Sequence, residues 1–577
     1  MTKRRMRSSL WLEGDDEVAL NHRVAIRTGA PQIAEIENRP VIGIADTSSD
    51  LNPCNLPLAA LIPHIAAGIE SAGGIPMRFP VMSLGEDLMK PSALLYRNLV
   101  SMEIEEMIRS NPLDGVVLLA NCDKTGPALL MGAASADIPA ILVFGGARPP
   151  AIFRNKSLST GTDLWRLLED YRAGKLSQDD WKDVERCMAC GIGSCNAMGT
   201  ASTMAIVTEV LGMCLPGTST IPAGSPEAPE AARQSGVRIV GMVHEDLKPS
   251  EIMDGAAFSN ARIVLNAIAG STNAIVHLPA IAGRLGISWP LAAWAEAGYE
   301  VPVIADVEPS GQFRIQQFHD AGGVPVLLRQ IRHHLDCDTV GVGGRLSETL
   351  SAQPNPGAGE AIRMYENPIA EGPAFAVVFG SLAPDGAVIK VSAASPELLC
   401  HKGPAVVFRG YEDMRARLDD PGLAVTRDSI LVLAGCGPVN VPGMPEWGMM
   451  PIPQRLVSEG VRDMVRVSDG RMSGTSFGTV VLHVAPEAGM GGPLALVEDG
   501  DIISLDAHNG RLDLLVDDAE LSRRREALIP PIREHLRGWP LLFQRHVTQA
   551  PLGCDLDFLI GETEAQRQRI EPVIGRS

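Results

Sequence analysis

Between Arg39 and Gly270 short β-branched runs alternate with helix-length stretches: "RPVIGIAD", "DGVVLLA" and "PAILVFGG" are separated by "LPLAALIPHIAAGIESAGG" and "GPALLMGAASAD". Strand, loop and helix repeated in that order predict βαβ units and a parallel sheet, which places the chain in the α/β class. A second strand and helix region is expected through "EVPVIADVEPSGQF" and "GGVPVLLRQIRHHL". At 577 residues the chain exceeds the size at which one hydrophobic core keeps growing, so more than one domain is expected. The stretch from Ser351 to Pro373, "SAQPNPGAGEAIRMYENPIAEGP", holds Pro, Gly and Asn without a strong period and is the best linker candidate. Beyond it, runs such as "AFAVVFG", "AVIKVSA", "PAVVFRG", "SILVLAG" and "TVVLHVA" follow one another closely with Gly-rich turns. That texture predicts a β-rich, barrel-like C-terminal domain. The boundaries are expected at 1–370 for the α/β domain and 371–577 for the β-rich one.

The 69 acidic residues against 50 basic give a net charge of −19, which argues against nucleic acid or anionic membrane as a partner. An anionic substrate on such a chain needs a local cation. The opening "MTKRRMRSSLWLEGDDE" is basic but lacks the apolar core of a signal peptide, and no apolar run approaches the roughly 20 residues of a membrane span. A cytoplasmic protein is expected. In that reducing compartment the ten cysteines read as free thiols or metal ligands rather than as a disulfide framework.

One triplet interrupts the apolar pattern. In "LLANCDKTGPALLMG", Cys122, Asp123 and Lys124 set a thiol, a carboxylate and an amine side by side between a strand and a helix. Unpaired buried charge is costly, so such groups are solvated or bind something. Two further cysteines occupy similar places. Cys54 lies in "ADTSSDLNPCNLPLAALIPHI", after a strand and before a helix, and Cys195 lies in "CGIGSCNAMGTASTMAIVTEVLGM", after a Gly-bearing loop and before a long helix. Ligands of open α/β sheets bind at the carboxyl ends of the strands, so these three loops are expected to converge. A helix N-terminus favours the thiolate that metals require, and three thiolates suggest an iron-sulfur cluster with one iron position open. The bland alternative for any one cysteine is a small buried hydrophobe. A rival arrangement is local: Cys187, Cys190 and Cys195 stand in C-x2-C-x4-C spacing, without an obvious fourth ligand nearby.

The segments "TSSDLNPCN", "NCDKTGPALLMGAAS", "SCNAMGTASTM", "LKPSEIM", "GSTNAIVHLPAIAGRLGI", "SAASPELLCHKGPAVVF", "CGPVNVPGMPEWG" and "DGRMSGTSFGTVVLHVAPEA" occur in one order along the chain. From about Arg39 to Phe558 the sequence thereby resembles the dihydroxyacid and sugar-acid dehydratase family. Its "SLGEDLMKPSALLYRNL" is similar to the pentonate branch, that of L-arabinonate and D-xylonate dehydratases. Dihydroxyacid dehydratase of branched-chain amino-acid synthesis is the alternative within the family. An iron-sulfur sensor or cluster carrier without catalysis is the alternative outside enzymes.

The resemblance implies a hydro-lyase that removes water from a 2,3-dihydroxy acid to give a 2-keto-3-deoxy acid. It implies a 2Fe-2S cluster on Cys54, Cys122 and Cys195, and magnesium, or manganese, on Glu86, Asp123, Lys124 and Glu446. Lys124 becomes an oxygen ligand of the hard type magnesium prefers only when carbamylated. Ser473 in "DGRMSGTSFG" matches the family's proposed base, with Gly470 and Gly474 expected to leave room beside it. The N-terminal domain would carry the cluster and most magnesium ligands, the C-terminal domain the serine, and the assembly would be a homodimer or homotetramer. Without the resemblance Glu86 and Glu446 read as solvated carboxylates and Ser473 as a loop serine. Three departures stand out: "ARPP" from Ala147 to Pro150 where the family has a Pro-Met pair, the extra Cys187 and Cys190, and Asp46 where relatives carry Asn or Val.

Overall fold

The run "VIGIAD" forms β1 (Val41–Asp46), buried along its whole length. The computed structural model describes residues 6–36, 38–297, 301–352, 359–529, 537–560 and 571–575. After β1 come α1 (Leu58–Ser71), β2 (Ile75–Pro80), α2 (Ala93–Ser110), β3 (Gly115–Ala120), α3 (Thr125–Ala136) and β4 (Ala140–Phe144). The four strands are parallel, in the order β2-β1-β3-β4. Sequence periodicity had not marked β2, "IPMRFP", because Pro76, Arg78 and Pro80 break the apolar run. It lies at the sheet edge, where a missing proline N–H leaves no ladder bond unmade.

Among the further helices of this half are α4 (Thr200–Val210), α5 (Ala228–Glu245), α6 (Gly255–Ala267) and α7 (Ala274–Arg284). Helices α1 and α5 touch backbone to backbone. A Cβ on Gly68 would sit 2.0 Å from the Arg233 carbonyl oxygen, and one on Gly236 would sit 2.3 Å from that of Ile65. Only glycine permits so close a crossing.

The expected strand at "EVPVIAD" is not one. Residues 301–307 make isolated bridges, Val303 with Ala370 and Ala305 with Ile362. The same pairing corrects the linker. Part of it, 353–358, lies outside the described residues, but Ile362 is buried and Arg363 holds Asp306 at 2.6 Å. Buried apolar side chains and an ion pair keep its second half on the α/β domain, which its Pro and Gly content did not reveal.

The C-terminal strands are β5 (Ala376–Val378), β6 (Gly386–Ile389), β7 (Cys400–Arg409), β8 (Ile430–Ala434), β9 (Glu446–Trp447), β10 (Arg466–Ser468), β11 (Arg471–Met472), β12 (Val480–Ala485), β13 (Ile502–Asp506) and β14 (Arg511–Leu514). Eight of them form one sheet in the order β14-β13-β7-β8-β10-β12-β6-β5. The Phe379 N–H donates to the Gly510 carbonyl at 2.8 Å, and the Leu512 N–H donates to that of Phe379 at 2.9 Å. These bonds join the two edge strands, so the sheet closes into the expected barrel, and closure removes exposed edges. Alternate residues, among them Val378, Ile389, Val432, Val467 and Val481, fill its core.

After the barrel the chain returns to the first domain through α8 (Trp539–His546). Trp539 Nε1 donates to the Leu95 carbonyl of α2 at 2.8 Å. Arg284 of α7 meets Asp555 at 2.6 Å, with both side chains wholly buried. Among the described residues no helix is long and apolar enough to cross a membrane.

Candidate functional site

Because β1, β3 and β4 are parallel, their outgoing loops emerge on one edge. Those after β1 and β3 carry Cys54 and Cys122, and the loop before α4 carries Cys195. Side-chain amides and backbone bonds stitch the loops together. The Cys122 N–H donates to Asn55 Oδ1 at 2.9 Å, while Asn121 Nδ2 donates to the carbonyls of Cys54 at 2.6 Å and Gly146 at 2.8 Å. The Gly193 N–H reaches the Pro53 carbonyl at 3.2 Å. Asn55 and Asn121 were missed in the sequence, although each is the immediate neighbour of a cysteine.

The three thiols act on one another. A hydrogen bond with Cys54, then burial, pushes the Cys122 thiol well above its usual range. Burial, then Cys54, pushes Cys195 up, with Arg148 working the other way. A cation that binds thiolates would relieve the crowding that raises Cys122 and Cys195. Soft sulfur donors from three loops fit an iron-sulfur group. The local C-x2-C-x4-C arrangement is not gathered in this way. Cys190 Sγ donates to the Pro149 carbonyl at 3.1 Å, and Cys187 packs with Cys190 against the small cluster of Ala151, Phe153, Leu158 and Val184.

Lys124 is buried among carboxylates. Its Nζ lies 2.7 Å from Asp123 Oδ2, 3.0 Å from Glu446 Oε2 and 3.3 Å from Glu86 Oε2. Burial alone would discharge the amine, but Asp123, Glu446 and Glu86 outweigh it and hold the ammonium above its usual range. Burial raises Glu86, against the pull of Lys124. Ligand oxygens of Glu86, Asp123 and Glu446 all lie within 4.8 Å of one another. Glu86 Oε2 is buried and accepts no hydrogen bond among the described residues. A buried carboxylate oxygen met only by the Lys124 ammonium, beside two other carboxylates, fits a hard divalent cation. Cys122 Sγ stands 3.3 Å from Asp123 Oδ1, so one loop joins thiols and carboxylates.

Glu446 reaches this place from the other domain. Strand β9 pairs with β11 so that Glu446 faces Arg471, whose Nη1 is 2.5 Å from Glu446 Oε2 and whose Nη2 donates to Ser92 Oγ at 2.9 Å. Asn273 Nδ2 donates to the same Glu446 oxygen at 2.9 Å. Neither Arg471 nor Asn273 was legible as a site residue in the sequence.

Ser473 follows directly on β11. Its N–H donates to the Trp447 carbonyl at 2.8 Å, and its Oγ lies 2.9 Å from Thr475 Oγ1. The two flanking glycines make room for protein rather than for a ligand. A Cβ on Gly474 would meet Ser271 Oγ at 2.4 Å, and one on Gly470 would meet Cys436 Cβ at 2.9 Å. Gly474 thereby lets the serine loop close against Ser271 and the start of α4, and Thr162 Oγ1, from the separate helix Thr162–Arg172, donates to the Thr475 carbonyl at 2.8 Å. Asp46 is neutralised locally by Arg78 at 2.5 Å.

Thiols and half-buried carboxylates gathered between a parallel α/β sheet and a barrel-like sheet give an α/β protein with a donor set that could hold a metal ion. Residues 39–349 match the family model for the dihydroxy-acid/6-phosphogluconate dehydratase N-terminal region, and 360–554 match its C-terminal counterpart. The chain belongs to this dehydratase family. It is 45% identical to an L-arabonate dehydratase of Azospirillum brasilense over 98% of both chains. It is 43% identical to a 6-deoxy-6-sulfo-D-gluconate dehydratase of Pseudomonas putida over 96% of both. Against a dihydroxy-acid dehydratase of Moorella thermoacetica the identity is 35%, over 93% of this chain and 98% of the relative.

Proposed function

We propose that the protein is a hydro-lyase that dehydrates a sugar acid, a pentonate such as L-arabinonate or D-xylonate, to the 2-keto-3-deoxy acid. The observation that carries this reading is the meeting of Lys124 with Glu86, Asp123 and Glu446 on a loop whose preceding residue is Cys122. The reaction faces two obstacles: the C2 proton beside a carboxylate is weakly acidic, and the 3-hydroxyl leaves poorly. Cys54, Cys122 and Cys195 would hold a 2Fe-2S cluster, and Glu86, Asp123, Glu446 and a carbamylated Lys124 would hold magnesium or manganese. Together these groups would supply the Lewis acidity that both obstacles call for.

Ser473 is the base. As the alkoxide its Oγ takes the C2 proton, the C–H electron pair becomes the C2–C3 double bond, and the C3–O bond breaks with its pair going to oxygen. Ser473 then returns its proton to the departing hydroxide, which leaves as water. The enol left behind takes a proton from water at C3 and gives up the proton of its C2 hydroxyl, becoming the 2-keto acid. The Thr475 hydroxyl at 2.9 Å and its N–H at 3.3 Å donate hydrogen bonds that steady the alkoxide. Arg471, two residues before Ser473, keeps a buried cation at the site.

The substrate class rests on the higher identity to sugar-acid dehydratases, 45% and 43% against 35%. A site that hydrogen-bonds distal hydroxyls leaves its polar groups unpaired when an alkyl substrate enters, at a large cost in rate. The same reading makes the protein a cytoplasmic homodimer or homotetramer without a nucleic-acid or membrane partner. An anaerobic panel of C4 to C6 aldonates beside 2,3-dihydroxyisovalerate, with 2-keto-acid product measured, tests it. Faster turnover of a pentonate is the expected result. Preference for the branched-chain precursor would move the assignment to dihydroxyacid dehydratase, and a cluster-bearing but inactive protein would favour a sensor or carrier.

A further inference from the structure

The loop that leaves β4 carries Arg148, the charged residue of the departing "ARPP" segment. Its backbone is laced to the Cys195 loop: the Arg148 N–H donates to the Ser194 carbonyl at 2.9 Å, and the Ser194 N–H donates to that of Gly146 at 3.0 Å. The side chain is anchored as well. Arg148 Nε donates to the Gly193 carbonyl at 3.0 Å, and Nη2 stands 3.9 Å from Cys54 Sγ. A half-buried guanidinium is thus pinned to one cysteine loop and laid against the thiol of another. Asp87, the residue after Glu86, acts on it from the carboxylate side, and Cys190 acts on it from outside the trio.

We propose that Arg148 is the charge-compensating residue of the thiol site, and that its guanidinium sets how readily the iron-sulfur group held there accepts an electron. The inference rests on the cluster assignment under the proposed function. Three thiolates, two of them from buried cysteines, outweigh the two positive charges of an oxidised 2Fe-2S core, and a one-electron reduction makes the site more negative still. A cation fixed this close stabilises the more negative state most, because Coulomb energy grows as the local dielectric falls. Charge, hydrogen bonding and burial around the sulfurs are the levers by which proteins set such potentials. Guanidinium suits the place because it stays charged and its fork can hold Gly193 while facing sulfur.

The test uses the full chain, purified anaerobically, as parent, Arg148→Gln and Arg148→Lys. Gln keeps a donor for the Gly193 carbonyl but removes the charge, whereas Lys keeps the charge. Iron and sulfide per chain are measured first, then the midpoint potential by dye-mediated titration followed by visible absorption and electron paramagnetic resonance. The expected result is a lower potential in Arg148→Gln and one near the parent in Arg148→Lys. Assembly of the cluster in Arg148→Lys but not in Arg148→Gln would also support the charge role. Equal potentials in all three proteins, or equal failure of both variants to load, would overturn it. A parent without iron and sulfide would sink the cluster assignment itself, which is a distinct outcome.

Discussion

Lys124 Nζ and Glu446 Oε2 stand 3.0 Å apart, although 322 residues separate them. One belongs to the first turn after β3 and the other to the short strand β9, so the contact exists only when the α/β domain and the barrel are docked. Arg471 reinforces the docking by reaching Ser92 and Glu446 at once. A cation held by these carboxylates would therefore depend on that docking.

Replacing Lys124 with arginine preserves charge and tests whether charge is what matters. Guanidinium cannot form a carbamate and does not behave as a metal ligand, so Lys124→Arg is expected to fold, lose the bound divalent ion and lose turnover. Metal content by mass spectrometry and product formation check this. An active Lys124→Arg enzyme would remove the carbamate.

Serine in place of Cys54, Cys122 or Cys195 is expected to abolish visible absorption and iron content together, because a hydroxyl is a poor substitute for thiolate at iron. Serine at Cys187 or Cys190 should leave both unchanged, since Cys190 faces the Pro149 carbonyl. Full iron in all three of the first variants would turn attention to that second pair.

Ser473→Ala is expected to keep the metals and substrate binding and to lose turnover by several orders of magnitude. Exchange of the C2 proton with deuterated solvent should vanish with it, since proton abstraction is the step that fails. Turnover within about tenfold of the parent, only 1.4 kcal/mol in the barrier, would make Ser473 a bystander.

The Arg284–Asp555 pair offers a stability test remote from the chemistry. Arg284 Nε and Nη2 hold the two carboxylate oxygens at 2.6 and 2.9 Å, with neither side chain exposed. Asp555→Ala leaves the buried guanidinium with only the more distant Glu105, 3.9 Å away, as counter-ion, at an expected cost of roughly 3 kcal/mol. A urea titration measures it. A loss below about 1 kcal/mol would mean that the C-terminal segment contributes little to holding the fold.

His483 predicts acid lability. Burial, then Arg471, lowers its pKa to about 3, and its Nε2 has no hydrogen-bond partner among the described residues. The unfolded chain takes up the proton near the ordinary value of 6.5, whereas the folded protein does not. This contribution to stability is therefore present above pH 6.5 and is lost as pH falls towards 3. Between pH 7.5 and 5.5 the loss from this residue is about 1.4 kcal/mol. His483→Asn tolerates the left-handed backbone at φ 60° and should flatten that slope. An unchanged slope would assign the acid loss to other groups.

Much of the fold was legible because periodicity is local. β1, β3 and β4 announced themselves as short apolar runs followed by helices, and that placed Cys54 and Cys122 at strand ends. β2 escaped because its prolines are tolerated only at an edge, and edge position is a property of the finished sheet. Residues 301–307 misled for the converse reason. Their apolar run is buried against 361–370 rather than paired in a sheet, and burial alone does not distinguish the two.

The sequence by itself determined three of the four strands of the parallel sheet, the change of texture at the barrel, and the type of donor each loop carries. Those depend on spacing of about two to four residues, which the chain displays directly. Tertiary structure alone decided that Glu86, Lys124, Glu446, Arg471 and Asn273 share one buried cluster, and that Asn55 and Asn121 hold the cysteine loops in place. Such partners lie tens to hundreds of residues apart, so they meet only through the parallel sheet, which gathers the loops on one edge, and the barrel, which presents β9 and β11 to it.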